Sequence, residues 1–408
     1  MESKELIMIY SLRSTKRTRP HSSICLFLRL NYHNVKLAVN TRLLLSHRME
    51  GIPRFIHETV SRMVKAHPEI EFHFLFDRPY DPEFIYADNV RAKVLFPQSR
   101  HPILWYWWFE LSVKRYLDKH KIDVFYSADM YLSLRSKVPS LYVSHDLNYI
   151  HFPRGLRKID YWYLNYFFPK YHKRADHIIA VSEFTKSDII KQFHIDPDKI
   201  SVAYNDVPAG FRKFSDHEIK QARIKYAENK PYFFYVGSLH PRKNVSRLLQ
   251  AFDKFKSDYG TSHKLLIYGR RAFKTGDIFH VYKNMNHSSS VQFLDNSYGS
   301  VQKVLPGADA LCYVSLFEGF GIPILEAFHS GVPVISSMAS SMPEVAGDAA
   351  LLIDPVNIDA IASAMFEVLK KDTRHKLLVR AENQMKRFSW ERSADIIWHQ
   401  IKQLHERN

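Results

Sequence analysis

The segment Glu318-Gly-Phe-Gly-Ile-Pro-Ile-Leu-Glu326 holds the residues best suited to chemistry. Pro323 fits the first turn of a helix, where a missing N–H costs nothing. Gly319 and Gly321 permit a tight turn and a close approach of ligand to backbone. The pattern predicts Glu318 on a loop at a strand end and Glu326 in the first turns of the helix. A helix N-terminus offers free N–H groups and partial positive charge, which suits a diphosphate. A carboxylate there can accept hydrogen bonds from the vicinal hydroxyls of a sugar or ribose. Either glutamate alone would also simply suit a helix N-terminus. A second segment, Gly237-Ser-Leu-His-Pro-Arg-Lys-Asn244, hangs Arg242 and Lys243 at a strand end beside a helix start. Arg supplies a bidentate fork for phosphate and Lys a mobile point charge. A leaving diphosphate needs such charge neutralisation, although a solvated basic turn would read the same.

Ser144-His145-Asp146 follows an apolar run. His145 there can meet a sugar hydroxyl or a developing charge, but a lone histidine is more often structural. With Asp146 it also suggests a metal, yet no further ligands fall at metal spacing, so no metal site is expected. Asp196-Pro-Asp198 is the only Asp-x-Asp and reads as turn chemistry. Glu50-Gly51-Ile52-Pro53-Arg54 sits between the first strand and the first helix, a position that cradles phosphates in dinucleotide-binding folds. No G-x-G-x-x-G occurs, so no dinucleotide fingerprint exists. Gly51 can instead face a diphosphate across a cleft, while Pro53 fits a purely structural helix start equally well.

The elements needed to position these residues alternate along the chain. Strands are predicted at Lys36–Asn40, Glu71–Phe76, Ala92–Phe96, Ile122–Tyr126, Ser140–Ser144, His177–Val181 and Ser201–Tyr204. A helix spans Ile52–Ala66, and another starts at Ser182. After a polar, charged stretch from Asn205 to Lys230, a second series follows: Tyr232–Val236, Lys264–Tyr268, Val291–Leu294, Ala310–Val314 and Val332–Ile335. Val245, Leu248, Leu249, Phe252 and Phe255 lie at helical spacing. Alternation of this kind means parallel sheets with crossover helices, hence an α/β fold of two doubly wound domains. The cleft at the strands' carboxyl ends is the expected site. The expected division is an extension over 1–34 without a fold of its own, domains over 35–204 and 205–390, and a last helical piece over 391–408 that packs across the boundary.

The chain's 408 residues exceed the usual single domain, and 46% are hydrophobic, which excludes global disorder. Two cysteines, Cys25 and Cys312, exclude a disulfide framework and point to a reduced, cytoplasmic protein. No apolar run is long enough to span a bilayer. The net charge of +16 is spread over both halves and suits nucleic acid, an anionic membrane face, phosphate-bearing substrates or plain solubility.

Three blocks carry a resemblance: Tyr235-Val-Gly-Ser-Leu-His-Pro-Arg-Lys-Asn244, Glu318 to Glu326, and Pro333 to Glu344 with Val345-Ala-Gly-Asp348. Val181-Ser-Glu-Phe-Thr185 and Ser144-His-Asp146 support it. The chain resembles the retaining glycosyltransferases of family four, the "group 1" transferases with the GT-B fold of two Rossmann-like domains facing across a deep cleft. The resemblance implies that Glu318 touches the donor hexose and Glu326 the nucleotide ribose. Arg242 and Lys243 would hold the diphosphate, with His145 near the transferred sugar. The backbone of Gly319, Phe320 and Gly321 would line the sugar and phosphate site, with Gly51 and Gly237 beside it. It also implies metal-independent transfer with no cofactor, from a donor such as GDP-mannose or a UDP-sugar. Pro53 stands where members often have Gly, and Ser238 follows Gly237 where many carry Arg soon after.

Two aromatic stretches, Leu104-Trp-Tyr-Trp-Trp-Phe109 and Tyr161-Trp-Tyr-Leu-Asn-Tyr-Phe-Phe168, fall in the half that would take the acceptor. They read as buried core, as sugar-stacking faces, or as a membrane-interface surface beside Arg154, Arg157, Lys158, Lys170, Lys173 and Arg174. The expectation is a cytoplasmic hexosyltransferase acting on a glycan or lipid-linked acceptor in surface polysaccharide synthesis, with peripheral contact at the inner membrane face and no nucleic-acid partner. A sugar-nucleotide epimerase of the same fold would release product without an acceptor. A basic nucleic-acid-binding protein would bind in a steeply salt-dependent way.

Overall fold

Short apolar runs bounded by polar turns build the frame of the computed structural model, which describes residues 35–46, 49–270 and 276–407. The expected extension over 1–34 lies outside these residues. The first sheet holds β1 (Lys36–Asn40), β2 (Glu71–Phe76), β3 (Val90–Val94), β4 (Val124–Ser127), β5 (Ser140–Ser144), β6 (His177–Ala180) and β7 (Ile200–Val202). Its order is β3-β2-β1-β4-β5-β6-β7, and every pair is parallel. Its helices include α1 (Ile52–Ala66), α2 (Pro102–Trp107), α3 (Lys158–Arg174) and α4 (Glu183–Phe193). On α1, Phe55, Ile56, Val60, Met63 and Val64 recur at helical spacing and are buried, with Pro53 in the first turn.

Ahead of the second sheet comes α5 (Asp216–Ala227). The sheet itself holds β8 (Tyr232–Val236), β9 (Lys264–Tyr268), β10 (Val291–Leu294), β11 (Ala310–Tyr313), β12 (Val334–Ser337) and β13 (Ala350–Ile353), in the order β10-β9-β8-β11-β12-β13. It too is parallel throughout. Around it lie α6 (Val245–Tyr259), α7 (Ile322–His329) and α8 (Met342–Ala346). Finally α9 (Trp390–Glu406) returns to the first sheet's helices. Arg62 Nε donates to Glu391 at 2.8 Å, Trp390 packs edge-on to Phe55, and His67 stacks on Trp398.

Both sheets reverse their order beside the first strand, as in doubly wound nucleotide-binding folds. Three local expectations need correction. The stretch from Asn205 to Lys230, read only as polar and charged, contains α5, which a Ser215–Glu218 capping box initiates. The third strand is Val90–Val94 rather than Ala92–Phe96. The second sheet continues through β12 to β13, an edge strand of four residues that lay beyond the last one predicted.

Candidate active site

The second sheet reverses between β8 and β11, so the loops after these two strands open at one crevice. Arg242 and Lys243 occupy the turn Pro241–Lys243 after β8, and Glu318 lies on the loop after β11. The three side chains meet there. Arg242 Nη1 donates to Glu318 Oε2 at 2.7 Å and to the Phe317 carbonyl at 2.8 Å. Lys243 Nζ donates to the Tyr313 hydroxyl at 2.9 Å and pairs with Glu318 Oε1. Burial alone would push the Glu318 carboxyl up, but Arg242 and Lys243 hold it down at about 2. Burial pulls the Lys243 ammonium below its ordinary value against the attraction of Glu318. Arg242 and Lys243 thus share the Glu318 carboxylate by direct contact, with the Asp146 charge of the first domain attracting both, and two adjacent cations suit a polyanion. Gly237 follows β8, and its carbonyl stands where a side chain on Gly269 would begin, so these two loops touch backbone to backbone.

The loop from Glu318 to Gly321 divides its polar groups unevenly. Ser341 Oγ lies 2.9 Å from the Glu318 carbonyl and 2.8 Å from that of Phe320. Ser182 Oγ and Thr185 Oγ1 donate to the Gly319 carbonyl at 2.7 and 3.2 Å. The N–H groups of Gly319, Phe320 and Gly321, in contrast, find no acceptor among the described residues. Buried donors left open next to the N-terminus of α7 call for an acceptor from outside the chain. Further along α7, Glu326 is half-buried, and its carboxylate has no hydrogen-bond partner among the described residues. Burial first, then Glu50, push its carboxyl up to about 7, while Arg54 pulls the other way. Gly51 caps α1 at φ 61°, ψ −116°, and a side chain there would meet nothing within 4 Å. The position is open, and its backbone conformation favours glycine.

His145 forms part of the opposite wall. Its Nε2 donates to the Ala128 carbonyl at 2.8 Å and the ring stands edge-on to Phe55, which leaves Nδ1 as an acceptor. Burial holds its pKa below the ordinary histidine value, so the ring is neutral. The His145 carbonyl lies 1.8 Å from where a Cβ on Gly319 would stand, so the two domains touch through this glycine. Among the described residues no group of three or more metal-ligating side chains forms. Asp196 accepts from the Asp198 N–H at 3.0 Å within a tight turn. The aromatic stretches divide by face. Trp108, Phe109, Tyr163 and Phe168 are buried, whereas Tyr106, Trp107, Trp162 and Tyr166 are exposed.

The sequence reading did not single out Ser182, Thr185, Glu344 or Tyr313 as site residues. In the sequence Ser182 and Thr185 support the family resemblance and show an N-capping pattern, and Ser182 does accept from the Thr185 N–H at 3.0 Å. Nothing in that pattern shows that both hydroxyls also reach the other domain.

Comparison with known proteins bears on this geometry. The family Glycosyltransferase Family 4 matches residues 49–211, and Glycosyl transferases group 1 matches residues 216–387. An O-antigen chain mannosyltransferase B of Escherichia coli is 32% identical over 217 residues, 52% of this chain and 57% of that protein. The O-antigen chain mannosyltransferase RfbU of Salmonella typhimurium is 30% identical over 213 residues, 52% and 55% of the two chains. These alignments thus span little more than half the length of the curated relatives. Among solved structures, sucrose-phosphate synthase of Thermosynechococcus elongatus superposes with a TM-score of 0.72 at 16% identity, over 92% of this chain and 100% of the other. Anabaena HepE, solved with UDP and glucose, gives 0.69 at 16% identity, over 90% and 100%.

Proposed function

Because this chain belongs to the group 1 glycosyltransferases of family four and has their GT-B fold, we propose that it transfers a hexose from a nucleoside diphosphate sugar to a glycan or lipid-linked acceptor of a surface polysaccharide. Mannose from GDP-mannose is the first choice, supported by the O-antigen mannosyltransferases among its relatives. A UDP-sugar is the second, supported by the UDP and UDP-glucose bound to HepE. One observation carries the reading: Arg242 and Lys243 share the single carboxylate of Glu318 beside three open N–H groups at the start of α7. Cations and oriented N–H groups stabilise the charge that builds on a diphosphate as the glycosidic bond breaks. These groups supply the neutralisation that a metal gives elsewhere, so the transfer is proposed to need none.

In the proposed step the bond from the anomeric carbon to the diphosphate oxygen breaks, and its electron pair leaves with the diphosphate. The acceptor oxygen bonds the anomeric carbon on the same face, and its proton passes to the departing phosphate. Configuration is retained. Glu326 takes the ribose hydroxyls, Glu318 the hexose, and His145 closes on the sugar from the other domain. Work at a bilayer is part of the proposal, supported by the exposed aromatic side chains of α2 and α3.

A donor screen in the presence of EDTA tests the reading, with free GDP and UDP titrated by calorimetry. Lys243→Ala is expected to weaken nucleotide binding and slow turnover by about one to two decades, the worth of a charged hydrogen bond. Glu318→Gln is expected to bind nucleotide no more weakly, because it frees two cations for the diphosphate, yet to lose most turnover. Activity that vanishes with EDTA and returns with manganese refutes the metal-free step. Normal binding and turnover in both variants refutes the site.

A further inference from the structure

The turn that opens α4 belongs to the first sheet's domain, yet it is wedged into the second. Above it, the Glu344 carboxylate accepts from the Glu183 N–H at 2.8 Å and the Phe184 N–H at 3.0 Å. These are free donors at a helix N-terminus, where an anion is also favoured by the helix dipole. Below it, the Ser182 and Thr185 hydroxyls grip the Gly319 carbonyl. Phe317 adds an apolar anchor. It stacks on His151 with ring centres 4.6 Å apart and lies edge-on to Phe184 at 5.7 Å. Every one of these contacts crosses between the domains, and together they bracket the loop that carries Glu318.

The grip on Gly319 has a geometric consequence. A peptide unit is planar and trans, so its carbonyl and the following N–H point in opposite directions. With the Gly319 carbonyl fixed on the Ser182 and Thr185 hydroxyls, the Phe320 N–H is fixed facing away from α4. That N–H is one of the donors without an acceptor among the described residues. Arg242, Lys243, Glu318 and Glu326 all stand on the second domain and need no help from α4 to meet a nucleotide. The peptide between Gly319 and Phe320 does need it. With α4 withdrawn, the Gly319 carbonyl loses both hydroxyls, and a glycine peptide is free to rotate.

We propose that Ser182 and Thr185 are positioning residues. By holding the Gly319 carbonyl when the domains close, they complete the phosphate-facing row of N–H groups, and Glu344 latches α4 in that place. This rests on the transferase reading and adds to it a division of labour. Nucleotide binding belongs to the second domain alone, whereas turnover requires the turn at Ser182–Thr185 from the first.

The test uses the full chain with Thr185→Val, the double variant Ser182→Ala/Thr185→Val, and Thr185→Ser as the conservative control. Ser182→Ala also removes a helix cap, so Thr185→Val alone keeps the test clear of that loss. The expected result is a fall in kcat of about tenfold for the single variant, from one lost hydrogen bond. The double variant should fall further. The Kd for free GDP or UDP should stay within about threefold of the parent, since Arg242, Lys243 and Glu326 hold the free nucleotide and the N–H row is completed only when the domains close. Thr185→Ser should restore kcat. Wild-type kcat in the double variant overturns the proposal. So does an equal loss of nucleotide affinity, or a loss of activity that only follows melting temperature. Small-angle scattering reads closure independently of activity. Glu344→Gln/Thr185→Val should show a larger radius of gyration than the parent, and an unchanged radius overturns the latch. A wild-type chain that binds no nucleotide sinks the transferase reading instead, and scattering still decides the latch.

Discussion

Glu318 and Glu326 show how much surroundings set the state of a side chain. Glu318 lies between two cations and stays ionised down to about pH 2. Glu326 lacks such a partner, and burial together with Glu50 raises its carboxyl from 4.5 to about 7. Between these two values the folded chain holds a proton that the unfolded chain has lost. The stability this group contributes therefore declines as pH rises across that window and is gone above about 7. In the proposed ribose-binding role of Glu326, ligand binding runs the other way, because the ionised carboxylate is the better acceptor for hydroxyls. Nucleotide affinity is expected to rise by up to about tenfold from about pH 6 to about pH 8, as one group ionises. Glu326→Gln should flatten that rise, leaving only the slope from the nucleotide's own phosphate. Calorimetry of parent and variant across the range checks this, and identical slopes would remove Glu326 from the nucleotide site.

At the scale of elements, the loop before α7 depends on one missing side chain. A methyl on Gly319 would overlap the His145 carbonyl, which is backbone and cannot swing aside. Gly319→Ala is expected to hold the domains apart and lower kcat by about a hundredfold, the usual cost of displacing reacting groups by an ångström. GDP binding should be nearly unchanged. Steady-state rates beside calorimetry decide it, and a fully active variant would mean that closure tolerates the shift. The strands of both sheets were legible because apolar runs such as Leu37-Ala-Val39 and Leu265-Leu-Ile267 are buried and end in turns. The helix α5 was not, because its face to the core is only Ala222, Tyr226 and Ala227 in a charged sequence. Sequence placed Arg242, Lys243 and Glu318 each at a strand end, and the sheet order brings them together. It could not show that one carboxylate serves both cations, nor that the Ser182 and Thr185 hydroxyls reach Gly319. Both facts depend on contacts between segments far apart in the chain.

The whole molecule carries a charge of +16, and part of it lies beside exposed aromatic rings. On α2, Ile103, Tyr106 and Trp107 are exposed, and on α3 so are Ile159, Trp162 and Tyr166, with Trp162 at 72%. The two helices meet through Tyr106 and Phe167, whose ring centres are 5.9 Å apart. Ile159, Trp162, Tyr166, Lys170 and Lys173 recur at helical spacing on α3, and the Lys170 ammonium sits over the Tyr166 ring. No helix among the described residues is long and apolar enough to cross a membrane. Trp and Tyr beside Lys form the composition that settles at the headgroup level of an anionic bilayer, where each basic side chain adds about 1 kcal/mol. A lipid-linked acceptor would be met at that surface. The chain is expected to sediment with vesicles containing phosphatidylglycerol, to bind pure phosphatidylcholine far less, and to be released by salt. Lys170→Glu/Lys173→Glu should weaken binding by at least about tenfold through loss of attraction. Trp107→Ala/Trp162→Ala should weaken it without changing its salt dependence, because the lost contribution is apolar. Nucleotide binding should be untouched in both, since among the described residues these side chains share no hydrogen bond, ion pair or ring contact with Arg242 or Glu326. If the parent chain ignores anionic vesicles, or if neither pair of substitutions alters its binding, the aromatic face serves the protein in some way other than membrane contact.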